Sequence, residues 1–154
     1  MPLFAFPLRG QKPAQQNLPI NRALCIQGKC VLIGNRETII FDIGKEIEHG
    51  LLRFDIWCCG QHLNPKDNLA YPPSLLHSLK FELSQLQNIE LTPDAFWFNF
   101  GEISDEYLAT ISLCDRVAKI KIEFNESNLF ISSTIDELIN LYQKAIDVVA
   151  EANT

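Results

Sequence analysis

The stretch Tyr107–Phe124 reads YLATISLCDRVAKIKIEF, and its second half sets the fold class. From Val117 to Phe124, Ala118, Ile120, Ile122 and Phe124 alternate with Lys119, Lys121 and Glu123. A period of two puts the apolar side chains on one face and the charged ones on the other, the pattern of a half-buried strand. Tyr107 to Cys114 reads as the strand before it, and Leu129 to Ser132 as a short continuation of the meander. Downstream the period changes. Thr134 and Glu137 have the spacing of a capping box, and Ile135, Leu138, Ile139, Tyr142, Ala145, Ile146 and Val149 form a broad apolar stripe. The spacing predicts a helix over about 135–151, laid across the sheet.

Upstream, Ala95 to Phe100 reads as a strand with Phe96, Phe98 and Phe100 on one face and Trp97 on the other. Before it, Pro73 suits a first helical turn. Leu75, Leu76, Leu79, Leu83 and Leu86 then predict a helix over about 73–87. Earlier still, Leu52, Phe54, Ile56 and Cys58 alternate with Arg53, Asp55, Trp57 and Cys59, and Thr38 to Ile43 is a further strand. Ala23 to Ile33 reads as a tight hairpin around Gln27-Gly28. Prolines at 2, 7, 13 and 19 make Met1 to Asn21 an extended arm rather than a helix or a secretory leader. The expected order is β-β-β-α-β-β-β-β-α. That is an α+β domain over 22–154, with an antiparallel or mixed central sheet of about six to seven strands and two helices on one face.

The 154 residues suffice for one core. No apolar run approaches the length of a membrane span. Five cysteines, an odd number, favour thiols in a reducing, cytoplasmic setting. Cys25 and Cys30 would face each other across the Gln27-Gly28 turn at a separation a reversible disulfide could close. Cys58, Cys59 and His62 suggest zinc, but adjacent strand residues point to opposite faces, and His49 or His77 would have to complete the set. The segment 101–106, rich in carboxylates, lacks the spacing of a calcium loop and reads as a turn favoured by Ser104 or Asp105. No nucleophile elbow, phosphate loop or dinucleotide fingerprint is present. The expectation is therefore no enzyme, no cofactor and no metal. A small enzyme assembled from scattered histidines and carboxylates is the minor alternative.

Charge is uneven. Residues 1–80 carry a net +3 and residues 81–154 a net −9, and between Lys80 and Arg116 seven carboxylates occur with no Lys or Arg. Such a field repels nucleic acid and anionic membranes and attracts a basic protein. Within it Glu102, Asp105 and Glu106 are the candidate steering charges. Trp97 first and Trp57 second are the candidate anchors, with Tyr71 and Tyr107 in support, if they are exposed rather than buried.

From Leu52 to Leu79 the chain reads LRFDIWCCGQHLNPKDNLAYPPSLLHSL. The Ile-Trp strand, the Gly-Gln turn, the polar loop with Asp67-Asn68 and the leucine-rich helix opening Tyr-Pro-Pro resemble the small immunity proteins of bacterial polymorphic-toxin and contact-dependent growth inhibition systems. The resemblance implies a protein that binds and neutralises a cognate toxin domain, a nuclease with a basic cleft being the natural target, through an acidic face carrying aromatic anchors, Asp67 among its contacts. The alternative is a different cytosolic interaction module or subunit.

Overall fold

The computed structural model describes residues 30–88 and 91–154. The expected arm, the hairpin turn and Cys25 lie outside the described residues, so neither the arm nor the Cys25–Cys30 pairing is addressed. The chain forms two compact units, residues 1–32 and 33–154. Of the first, Cys30 to Leu32 are described, as the start of strand β1 (Cys30–Gly34).

The second unit continues with β2 (Ile39–Gly44), β3 (Leu52–Cys58), β4 (Gln61–His62) and β5 (Leu69–Ala70). Helix α1 (Pro72–Asn88) follows, then β6 (Ala95–Trp97), a 3₁₀ turn (Gly101–Ser104), β7 (Leu108–Cys114), β8 (Val117–Phe124), β9 (Ser127–Thr134) and helix α2 (Ile135–Ala152). The α+β class, the two helices and the antiparallel pairing expected from the sequence are observed. The strands are divided, however, between two sheets: one in the order β1-β2-β3-β4 with β5 also on β3, the other in the order β9-β8-β7-β6. The division follows from local closure. Each meander pairs with its own sequence neighbours, and α1 carries the chain from one to the other.

The strand Val117–Phe124 has the expected bounds, and Ala118, Ile120, Ile122 and Phe124 are its buried face. The capping box is complete: Thr134 Oγ1 accepts the Glu137 N–H at 3.1 Å, and Glu137 Oε1 accepts the Thr134 N–H at 3.0 Å. Thr134→Ala leaves helix amides unpaired and should lower stability by about 1 kcal/mol, read as the shift in a urea melt. No change in midpoint would show that the helix start is held by packing alone.

The core joins both meanders to the helices. Phe41 of β2 contacts Phe54 (5.0 Å between ring centroids), Phe98, Phe100 and Tyr142 of α2. Tilted and edge-to-face rings suit the aromatic quadrupole. The helices pack on one another, and α2 also touches β2 and β9. The turn entering β2 is tight. Gly34 has φ +119°, and a Cβ there would lie 2.1 Å from the Ile39 carbonyl oxygen, so glycine is required.

One strand differs from expectation. Pairing ends at Trp97 because Phe98 is left-handed, with φ 50°. The alternation breaks there, so Trp97, Phe98 and Phe100 are all buried while Phe96 is 67% exposed. The Phe98 carbonyl holds this bend by accepting the Tyr107 hydroxyl (2.7 Å) and the Ser104 hydroxyl (2.8 Å). Ser104 Oγ in turn accepts the Phe100 N–H, the side-chain-to-backbone bonding expected of this turn.

Candidate protein-binding surface

Of the seven residues singled out from the sequence, one is a core residue, five lie on two loops that a hydrogen-bonded brace joins, and Trp57 lies on strand β3. Trp97 is the core residue: at 1% exposure against Tyr142 it is unavailable as a surface anchor, which corrects the first expectation. Tyr107 is likewise buried, its hydroxyl engaged with Phe98 and Ser104. Glu82, counted among the seven carboxylates of the acidic stretch, is buried too.

The brace is a single carboxylate. Glu106, just after the 3₁₀ turn, accepts the backbone N–H groups of Lys66 (2.8 Å) and Asp67 (3.1 Å) with a single carboxylate oxygen, across 39 to 40 residues of sequence. Two loops that are separate in sequence are thereby joined. The first, 63–71, is anchored from within by buried Asn64, whose side chain accepts the Ile56 N–H and donates to the Phe54 carbonyl. The second runs 101–107, with Glu102 and Asp105 exposed. Strand β5 packs against the 3₁₀ turn at the junction. Leu69 and Tyr71 stand out there at 51% and 60% exposure, large apolar groups beside acidic ones. Leu69 was missed in the sequence because its two-residue strand has no periodicity. Its cue is that it pairs with Arg53 on the outer side of β3.

Trp57 is linked to the first loop through a polar network. Its ring stacks on His62, 4.5 Å between centroids and 7° from parallel. His62 Nε2 lies 2.8 Å from Asp55 Oδ1, and since a carboxylate only accepts, the imidazole is the donor. Asn68 donates to the same oxygen at 2.9 Å. Arg53 bonds Asp55 and also reaches both carboxylate oxygens of Asp42, at 3.1 and 3.2 Å. Asp42 and Asp55 are buried directly opposite each other on β2 and β3. Burial alone would raise the Asp55 pKa. The His62 and Asn68 hydrogen bonds and the His62 and Arg53 charges outweigh it and hold the carboxyl below its ordinary range. This network was not foreseen, since Arg53, Asp55 and Trp57 read as a plain outer face until the register is known.

An imidazole oriented by a carboxylate is two thirds of a nucleophile-activating arrangement. Among the described residues no hydroxyl or thiol is hydrogen-bonded to His62 to complete it. Cys58 is buried, Cys59 is exposed just past the end of β3 with a left-handed backbone, and no group of three or more His, Cys, Asp or Glu among the described residues is placed to hold a metal. No helix among them is long and apolar enough to cross a membrane. The arrangement is a hydrogen-bonded two-loop platform with apolar relief (Leu69, Tyr71, half-buried Trp57) and acidic neighbours (Glu102, Asp105, Asp67). Lys66 is the one cation in the first loop. No family model, curated protein or solved structure matches the chain.

Proposed function

We propose that the protein acts by binding another protein through this platform, and that its partner is a basic toxin domain which it neutralises as an immunity protein does. The observation that supports the reading is the Glu106 brace. It joins the loop that carries Asp67, Leu69 and Tyr71 to the loop that carries Glu102 and Asp105. Exposed apolar side chains beside carboxylates have the composition of an interface, where charge steers encounter and a few aromatic anchors hold the complex. A nuclease domain is the target best suited to an acidic face, because its substrate cleft is basic.

The brace also decides how to test the reading. Reversing Glu106 would dismantle the loops, so the charge test uses Glu102→Lys with Asp105→Lys. The partner to use is a candidate basic toxin domain, taken from the C-terminus of a large secreted effector where one is encoded directly upstream. The charge variant should slow association several-fold at low salt, with little difference at high salt. Tyr71→Ala should instead speed dissociation, weakening binding by about 2 kcal/mol. Association and dissociation rates unchanged in both variants would remove the platform from the interface.

A further inference from the structure

We propose that the protein also self-associates, two copies pairing antiparallel along strand β9 so that the second sheet runs continuously through a two-fold axis at Phe130. The inference is independent of the partner reading and uses none of the platform residues.

The two borders of that sheet are built differently. At one, β6 is three residues long, follows Pro93-Asp94 and ends at left-handed Phe98, all devices that blunt an edge. At the other, β9 is eight residues, and among the described residues its neighbour in the sheet is β8 alone. Its register to β8 is unbroken from Ser127↔Phe124 to Thr134↔Val117, with no bulge. Its sequence, SNLFISST, contains no charge and no proline. A long edge with none of these defences is a template for another strand.

The strand's own order selects a second copy as the occupant. An isologous contact must be self-complementary, and residues directly opposite in an antiparallel pair share a face. Centred on Phe130, the pairing sets Phe130 against Phe130, Leu129 against Ile131, Asn128 against Ser132 and Ser127 against Ser133. Aromatic meets aromatic, aliphatic meets aliphatic and polar meets polar. Shifting the centre to Ile131 sets Leu129 against Ser133 and Phe130 against Ser132, mismatching both faces. Phe130 is 70% exposed in the single chain, and a cross-strand aromatic pair would cover it. Beside it on β8, Lys121 lies 3.8 Å from Glu123, so the row flanking the axis is not a bare run of cations.

The test is sedimentation or light scattering over a concentration series, with Phe130 as the probe. Wild type should show a concentration-dependent dimer. Phe130→Lys and Phe130→Glu each place like charges across the axis and remove the aromatic pair. Each alone should raise the dimer dissociation constant about tenfold or more. Because the side chain is exposed, their circular dichroism should match wild type, and their melting should match wild type diluted to where it is monomeric. Mixed together, the two variants should dimerise again, as Lys faces Glu. A monomeric wild type overturns the proposal, as do a Phe130→Lys variant that still dimerises and a mixture that stays monomeric.

Discussion

Arg53→Ala should be among the most damaging single substitutions in the chain, lowering stability by about 3 kcal/mol. Asp42 and Asp55 are a directly opposed pair of like charges on adjacent strands, both buried. That arrangement is tenable because the Arg53 guanidinium bonds both carboxylates. Removing it takes the shared cation from between two buried carboxylates, while Asp55 keeps its His62 and Asn68 hydrogen bonds. The Arg53 side chain is itself a third exposed, which keeps the expected loss at the low end for a broken buried pair. Arg53→Lys should recover part of the loss, since a point charge cannot bond two carboxylates as a planar fork does. Because Asp55 is held below its ordinary pKa, its contribution is present above the unfolded-state value and is lost as pH falls through the folded one. In Arg53→Ala this acid-side loss should begin at higher pH. Chemical denaturation at several pH values checks both points, and a loss below about 1 kcal/mol would mean that the pair is solvated like a surface ion pair.

Glu82 produces the opposite pH trend. Burial pushes its carboxyl up to about 7, against the lowering effect of hydrogen bonds to Tyr142, Asn99 and Phe98. Tyr142 donates its hydroxyl to Glu82 at 2.5 Å, and the Asn99 N–H donates at 3.0 Å. A folded-state pKa above the unfolded one means that the native state holds the proton more tightly. Stability is therefore full below the unfolded value of 4.5 and declines as pH rises toward 7, after which it is level. The decline amounts to about 3 kcal/mol at 1.36 kcal/mol per pH unit. Glu82→Gln keeps one carbonyl oxygen to accept the Asn99 N–H, turns its NH2 toward the Tyr142 hydroxyl oxygen, which can accept, and cannot ionise. Its stability should vary less between pH 5 and pH 8, as a rough working window, and should exceed that of wild type at the upper end. Parallel curves for the two proteins would show that Glu82 is not the group responsible.

These two sites mark where the sequence was and was not legible. Val117–Phe124 and the capped α2 were plain because each side chain's environment follows from its own period and immediate neighbours. Glu82 was readable in principle. It lies three residues after Leu79 and four before Leu86, on the buried stripe of α1, where a carboxylate needs a partner. That the partner is Tyr142, 60 residues away, is a tertiary fact. The Asp42–Arg53–Asp55 network depends on cross-strand register, which alternation alone does not determine. Trp97, offered as an anchor on condition of exposure, is buried opposite Phe96, and Phe98 and Phe100 leave the Phe96 face because a left-handed Phe98 interrupts a pattern that reads as continuous. The platform was half legible: Tyr71, Glu102 and Asp105 were named from the sequence, but nothing in it brings loop 63–71 to loop 101–107. Glu106, expected as a steering charge, instead spends its carboxylate on the Lys66 and Asp67 amides.

The central claim is that this joined pair of loops is where a basic protein partner docks. Amide hydrogen exchange with and without a candidate basic toxin domain tests it most directly. Slowed exchange is expected within residues 66–71 and 101–106 on complex formation, with β9 unchanged. Protection confined to other segments, with both loops exchanging as in the unbound protein, would contradict it.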